Sequence, residues 1–226
     1  MCRYGFLCQT STTGWLIDNK VTKIIEGQIR VQPYGWKSGL DRNSFASAYN
    51  VLGKDWGQLI GGGYTRNEAG IPLLDPLTGL YVAGDANYDY GPVAPKLTGG
   101  LQSFFTYKNL SFNFSLDYQH GGKFYSCSEY WGNYSGVLAP TATTNDWGVN
   151  VRDPVANGGG IHVTGVSSVD SKTPVDMYVD AFTYFHQFRS TRIAELYIHN
   201  LSYVKLRELS IGYNLPVKNW LFTKKY

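Results

Sequence analysis

The side chains able to do chemistry in this sequence are aromatic rings and dispersed polar groups. Tyr130, Trp131, Tyr134 and Trp147 fall in one stretch rich in Gly, Asn and Thr. A flat ring stacks on the apolar C–H face of a sugar and leaves the hydroxyls free to hydrogen-bond, so these four are the candidate substrate-binding residues. The same residue types also form interfacial girdles and pack loops; girdles are obligatory in membrane barrels, which weighs toward that structural role. Asp85, Asn87 and Asp89 alternate like the first oxygen ligands of a calcium loop, but Gly91 comes one place late and Lys96 stands where the bidentate Glu belongs. No metal site is therefore expected, and the three residues read as turn formers in a polar loop. His120, His162, His186 and His199 are far apart, each in a loop or edge context. HExxH, GxSxG and P-loop patterns are absent, and so is GxGxxG with an acidic partner. The glycine runs at 61–63 and 158–160 lack a following Lys-Ser/Thr, so flexibility or close backbone packing is expected there. Cys2, Cys8 and Cys127 make an odd set without a CxxC pair, read as incidental thiols. The chain reads as a non-enzyme without a cofactor. N-x-S/T triplets start at Asn109, Asn113, Asn133 and Asn200, as chance allows in an Asn- and Ser-rich chain.

The elements that must carry these residues are strands. Residues 110–119, LSFNFSLDYQ, alternate strictly. Leu110, Phe112, Phe114, Leu116 and Tyr118 take one face; Ser111, Asn113, Ser115, Asp117 and Gln119 take the other. In a soluble sandwich the apolar face packs on a core, and in a membrane barrel it meets lipid while the polar face lines the lumen. The length favours the barrel, since soluble strands average about 5–6 residues and spanning strands need about 9–11. Residues 97–107 form a second long strand. Only Lys108 and Asn109 intervene, which predicts a tight hairpin with Asn109 taking the positive φ of a primed turn. A third strand is predicted over 203–215. Val204 and Leu206 share one face of a regular strand, and Leu209, Ile211, Tyr213 and Leu215 the other. A bulge near Arg207, or passage from a protein-packed rim into lipid, accounts for the change of phase. Pro216 ends it. Residues 22–32 and 58–64 are weaker strands. A long connection, 120–202, includes a helix predicted over 174–185, with Thr173 as N-cap and Pro174 in the first turn. Short turns alternating with long loops match the periplasmic and extracellular ends of a barrel. Lys108 and Asn109 would then sit at the periplasmic rim.

Composition narrows the class further. Aromatic residues make up 15% of the 226 and charged residues 16%, against about 25% charged in typical soluble domains. High aromatic content and a net charge of +3 exclude a disordered chain. No apolar run reaches the length of a spanning helix. Mean hydropathy is −0.25, a value shared by soluble proteins and membrane barrels. Basic residues are scattered, densest at Lys205, Arg207, Lys218, Lys224 and Lys225, without the stripe that nucleic acid requires. The first nine residues hold no secretory apolar stretch, so the expectation is a cytoplasmic protein or a chain whose true start lies upstream.

Three blocks carry a resemblance. Residues 203–216, YVKLRELSIGYNLP, extended by Ser202, resemble the "SYVKLRE…YxLP" segment of the SusC/RagA family of TonB-linked outer-membrane proteins. Gly91-Pro92-Val93-Ala94-Pro95-Lys96, Gly99-Gly100-Leu101, the run 107–112 (YKNLSF), Asp117 and Gly121-Gly122-Lys123 are similar to the family's "P…GG…N.F.YKNFSLS…D…GG" stretch. Residues 70–80, GIPLLDPLTGL, are like the turn that precedes it.

The resemblance implies an all-β fold: an antiparallel transmembrane β-barrel segment, open in this chain, with long extracellular loops and a short loop helix. It places 57–216 in the C-terminal half of the barrel. Residues 1–56 are a poorly matched segment with weak strands, and 217–226 begin a further turn or strand. It implies an outer-membrane location of the Gram-negative, Bacteroidetes-like kind. It also implies nutrient uptake, of oligosaccharides most commonly and of peptides in some members, energised by the TonB complex and shared with a SusD-like surface lipoprotein. Plug and TonB box are missing from these residues. Tyr203, Lys205, Leu206, Arg207 and Glu208 are the family-motif residues; their role reads as structural, through charge pairing with neighbouring strands. The alternatives are a self-contained soluble β-sandwich that binds glycans, or a truncated fragment without function.

Overall fold

The computed structural model describes residues 6–32 and 45–215. Cys2, Pro216 and the segment 217–226, with Lys218, Lys224 and Lys225, lie outside the described residues. Among the described residues thirteen strands occur: β1 Phe6–Leu16, β2 Arg30–Val31, β3 Ala46–Val51, β4 Gln58–Gly61, β5 Leu73–Leu74, β6 Tyr88–Pro92, β7 Leu97–Tyr107, β8 Leu110–His120, β9 Lys123–Tyr125, β10 Ile161–Ser167, β11 Pro174–Val179, β12 Ile198–Asn200 and β13 Tyr203–Tyr213. Two α-helices join them among the described residues, α1 Cys127–Tyr134 and α2 Ala181–Thr191. The fold is thus mainly β, and among the described strands every pairing is antiparallel except that of β10 with β5. The described strands close no barrel.

Contacts divide the chain into two interleaved units. The first comprises Met1–Asp18, Pro95–Gly122 and Leu201–Tyr226. Its described part is one antiparallel sheet ordered β1-β7-β8-β13, and each of these strands is 11 residues long. Hairpin β7–β8 turns at Lys108 and Asn109 as the sequence predicts, but the positive φ, 53°, falls on Lys108 and not on Asn109. Asn109 instead uses its carbonyl to accept from the Asn214 amide at 2.7 Å, outside the turn. β1 is a strand that alternation does not reveal, because its positions on the apolar face include Thr10, Thr12 and Gly14. It is held by full pairing with β7, from Phe6 opposite Tyr107 to Leu16 opposite Leu97. Gly99 is required in this ladder. The Tyr118 hydroxyl and the Thr13 carbonyl occupy the space of a Cβ, so Tyr118 lies across Gly99 and reaches Gly14. An aromatic ring covering a strand glycine restores the packing that the glycine forfeits.

The second unit comprises Asn19–Ala94 and Lys123–Asn200. It holds the sheets β2-β3-β4-β6, β11-β10-β5 and β12-β9. Its main core is aromatic: Tyr64, Tyr130, Phe188, Ile193 and Tyr197, with Phe45, Tyr81, Tyr125, Trp131, Tyr134 and Tyr184 packed against them. The rings meet edge to face, as Tyr130–Tyr197 at 5.4 Å and Phe188–Tyr197 at 5.7 Å, the arrangement their quadrupoles favour. Burial pushes the Tyr64, Tyr184 and Tyr197 hydroxyls well above the usual phenol range. A second cluster joins Leu74, Val163, Val175 and Val179. Gly62 packs against the Arg192 carbonyl, bridges in parallel to Ile193 and accepts from Ala194 N at 2.9 Å. The 61–63 run is therefore close backbone packing.

The helix predicted over 174–185 is corrected. Pro174–Val179 is strand β11, paired with β10 from Val166 opposite Pro174 to Ile161 opposite Val179. VDMYV fits both a period of two and a helical spacing, and pairing with β10 decides between them by burying Val175 and Val179. The helix starts at Ala181. Asp180 is its cap, accepting from Thr183 N at 3.1 Å.

Candidate functional site

The sheet of the first unit presents two chemically distinct faces. On β8 the apolar face carries Leu110, Phe112, Phe114, Leu116 and Tyr118, opposite Tyr107, Phe105, Ser103, Leu101 and Gly99 of β7. Phe6, Cys8 and Leu16 of β1 extend it. Ring contacts tie it together: Phe6–Phe105 at 6.4 Å, Phe105–Phe112 at 6.1 Å and Phe112–Phe114 at 5.9 Å. On β13 the register shifts between Leu206 and Glu208, so Arg207 is the extra residue of a bulge. Val204 and Leu206 pair with Tyr118 and Leu116, and beyond the bulge Leu209, Ile211 and Tyr213 pair with Phe114, Phe112 and Leu110. The bulge at the predicted place thus resets the phase, and all five side chains join the apolar face. All five stand exposed, Ile211 at 71%.

The other face is polar. Ser111, Asn113, Ser115, Asp117 and Gln119 of β8 share it with Tyr203, Lys205, Glu208 and Ser210 of β13. The family-motif residues divide between the two faces. Leu206 is apolar-side. Arg207 Nε donates to Asp117 Oδ2 at 2.5 Å across the strands. Glu208 accepts from Asn113 Nδ2 at 2.8 Å, and Lys205 Nζ sits 4.4 Å above the Tyr203 ring on its own strand. The sheet ends also differ. One end is the two-residue turn. At the other, where Leu16 and His120 each pair with Leu97 and Tyr203 pairs with Gln119, the chain leaves and returns through both segments of the second unit.

In the second unit Tyr130, Trp131 and Tyr134 are in mutual ring contact on α1, whereas Trp147 meets Tyr178 instead. Tyr130 is 0% exposed and belongs to the core, so its ring has no face to offer a ligand. Trp131 packs on the same core. Tyr134 lines a cavity of about 310 Å³ with Arg152, Asp180, Phe182 and His186. His186 stacks on Phe182, 3.7 Å away, and meets the tilted ring of Tyr134, 4.0 Å away. Its Nδ1 lies 2.8 Å from the Phe182 carbonyl oxygen, to which it donates. Arg152 is held by the carbonyls of Thr141 and Gly136. Trp147, 65% exposed, stacks on Tyr178 at 4.5 Å.

Beside that stack, His162 bonds two carboxylates, Asp146 at 2.5 Å and Asp176 at 2.7 Å, with its ring 4.8 Å from Tyr178. The Asp176 bond, then the Asp146 bond, holds its pKa above the ordinary imidazole value. His199 pairs with Glu129. The oxygens of the alternating acids are spent locally. Asp85 accepts from Asn87 N, Asp89 from Gly91 N and from Lys54, and Asn87 from Arg30. Among the described residues no group of three metal-ligating side chains converges, and Cys8 and Cys127 are free thiols. Sequence reasoning missed Phe104, the His162 cluster, and the joining of Tyr134 to Phe182 and His186. Only Phe104 has a local signal: the Phe104–Phe105 doublet forces one ring onto the polar face.

No family model and no curated protein matches the chain. Its fold is similar to that of a chain in a solved structure of the RagAB peptide transporter, with a TM-score of 0.51 and 13% identity over 97% of this chain. This chain spans 21% of the length of that one, and at such low identity the likeness is one of fold alone.

Proposed function

We propose that the chain is part of an outer-membrane transport barrel, with the four long strands as its membrane-spanning portion. The observation that carries this reading is the bulge at Arg207, which gathers the apolar side chains of β13 onto the same face as those of β8. A soluble protein that leaves such a face uncovered forfeits about 25 cal/mol for every Å² of apolar surface, whereas lipid stabilises it. Strands of 11 residues reach about 36 Å, and at a tilt of about 40° they cross the ~25 Å apolar band of an outer-membrane barrel. The two-residue turn at one end and the long connections at the other fit the periplasmic and extracellular sides, and the fold of the RagAB chain agrees. In this reading the protein takes up oligosaccharides, with peptides as the alternative cargo. It works with a SusD-like lipoprotein and draws energy through TonB by parts of the assembly outside these residues. It performs no catalysis.

The test is flotation. The 226-residue chain, refolded from urea in the presence of dioleoylphosphatidylcholine liposomes, is expected to float with them and to resist carbonate extraction. Recovery of a monodisperse, cooperatively melting monomer without detergent would overturn the membrane reading in favour of a soluble β-module.

A further inference from the structure

Phe104 is an apolar ring on the polar face of the sheet. It follows the backbone directly into Phe105, and a strand must send such neighbours to opposite faces. Phe105 joins the apolar cluster; Phe104 stands 39% exposed on the other side. Register puts it in one row with Gln9 of β1 and Asn113 of β8, and puts Ser11 and Gln102 in the next row. These five residues line a depression of about 260 Å³. Among the described residues the Phe104 ring pairs with no other ring.

The lining is one aromatic face, three carboxamides and one hydroxyl, with no charge. A carboxamide offers a donor and an acceptor side by side, which suits neighbouring hydroxyls. Asn113 is already oriented, because its Nδ2 donates to Glu208 at 2.8 Å, leaving its carbonyl oxygen for a ligand. The aromatic face suits a ring of C–H bonds. The five residues carry no charge, and the charged group beside them is the Glu208 carboxylate held by Asn113, so a peptide's carboxylate terminus would find no counter-ion in this lining. The volume lies just below the ~300–1,000 Å³ of small-molecule sites, so it holds about one ring.

We propose that this depression is a saccharide subsite: Phe104 carries the face of one neutral sugar ring, and Gln9, Gln102 and Asn113 hold its hydroxyls. Its place on an uptake path rests on the transport reading; the binding chemistry does not.

Saturation-transfer NMR on the full chain in lauryldimethylamine oxide, a detergent without sugar, tests it. The probes are maltohexaose, cellohexaose and xylohexaose, with an uncharged, end-blocked alanine–glutamine hexapeptide as control. Transfer to the ring C–H protons of at least one saccharide is expected. Phe104→Ala is expected to weaken it about tenfold, Phe104→Trp to keep it, Gln102→Leu to weaken it several-fold, and Val169→Ala, at an exposed position outside the depression, to leave it unchanged. Transfer to none of the saccharides, transfer that survives Phe104→Ala, or equal Phe104-dependent transfer to the peptide would each overturn the subsite. Flotation separates the two ideas. A chain that floats but binds no saccharide loses the subsite alone, and one that binds through Phe104 but stays out of liposomes loses the transport reading alone.

Discussion

Tyr130 is enclosed in the aromatic core with its hydroxyl unpartnered. A buried hydroxyl without a partner has lost its water and gained nothing in return. Tyr130→Phe is therefore expected to be neutral or to stabilise by up to ~1 kcal/mol, read as a rise in denaturant midpoint at unchanged slope. Phe188, equally enclosed and touching Tyr81, Tyr184 and Tyr197, has the opposite role. Phe188→Ala is expected to cost about 3–5 kcal/mol, seen as early loss of near-ultraviolet circular dichroism. His162 gives the core unit a pH signature. Its folded pKa is raised by Asp176 and Asp146, so its contribution is fully present below the unfolded value of ~6.5 and lost as pH rises through the folded value. His162→Gln is expected to flatten that part of the stability–pH curve; an unchanged curve would show that the two carboxylates do not hold the imidazolium.

At the level of elements, the bulge of β13 decides which side chains share the apolar face, the one that the proposed transport reading turns to lipid. Leu206 and Leu209 are an odd number of residues apart, yet both share the apolar face with Leu116 and Phe114. Spin labels at Leu206→Cys, Leu209→Cys and Ile211→Cys in liposomes are expected to be oxygen-accessible, and one at Ser210→Cys to be accessible to a water-soluble nickel reagent. Deleting Arg207 would remove the extra residue and leave a regular strand in which Leu206, Leu209 and Ile211 still share the apolar face, so flotation is expected to persist, whereas deleting Arg207 and Glu208 together would send Leu209 and Ile211 to the polar side and weaken it. β7, β8 and β13 are legible in the sequence because alternation is local. β1 is not, since Thr10, Thr12 and Gly14 interrupt its apolar face and only pairing with β7 defines it. β11 was equally hidden, because Val175 and Val179 satisfy a helix until β10 supplies a partner.

At the scale of the whole chain, β1 and β13 each have one hydrogen-bonded neighbour in the sheet among the described residues. Free edges of this length template pairing with other chains. The isolated chain is expected to self-associate in detergent, measured by sedimentation velocity, and lysines introduced on β1 at Thr10 and Thr12 are expected to reduce the association. A strictly monomeric chain would mean that the edges are covered.

By itself the amino-acid sequence determined the β class, three of the four long strands, their two-residue turn and the position of the bulge, because each depends on alternation or on a break in it within one segment. Its aromatic richness was legible, but its use was not. The rings divide between the apolar sheet face and the core of the second unit, and Tyr130 moves from candidate ligand contact to core by burial alone. Register decided that Phe104, Gln9 and Asn113 share a row, and folding brought Tyr134 to His186 across 52 positions of chain. Such neighbours are set by pairing and packing between distant segments, and no periodicity within either segment encodes them.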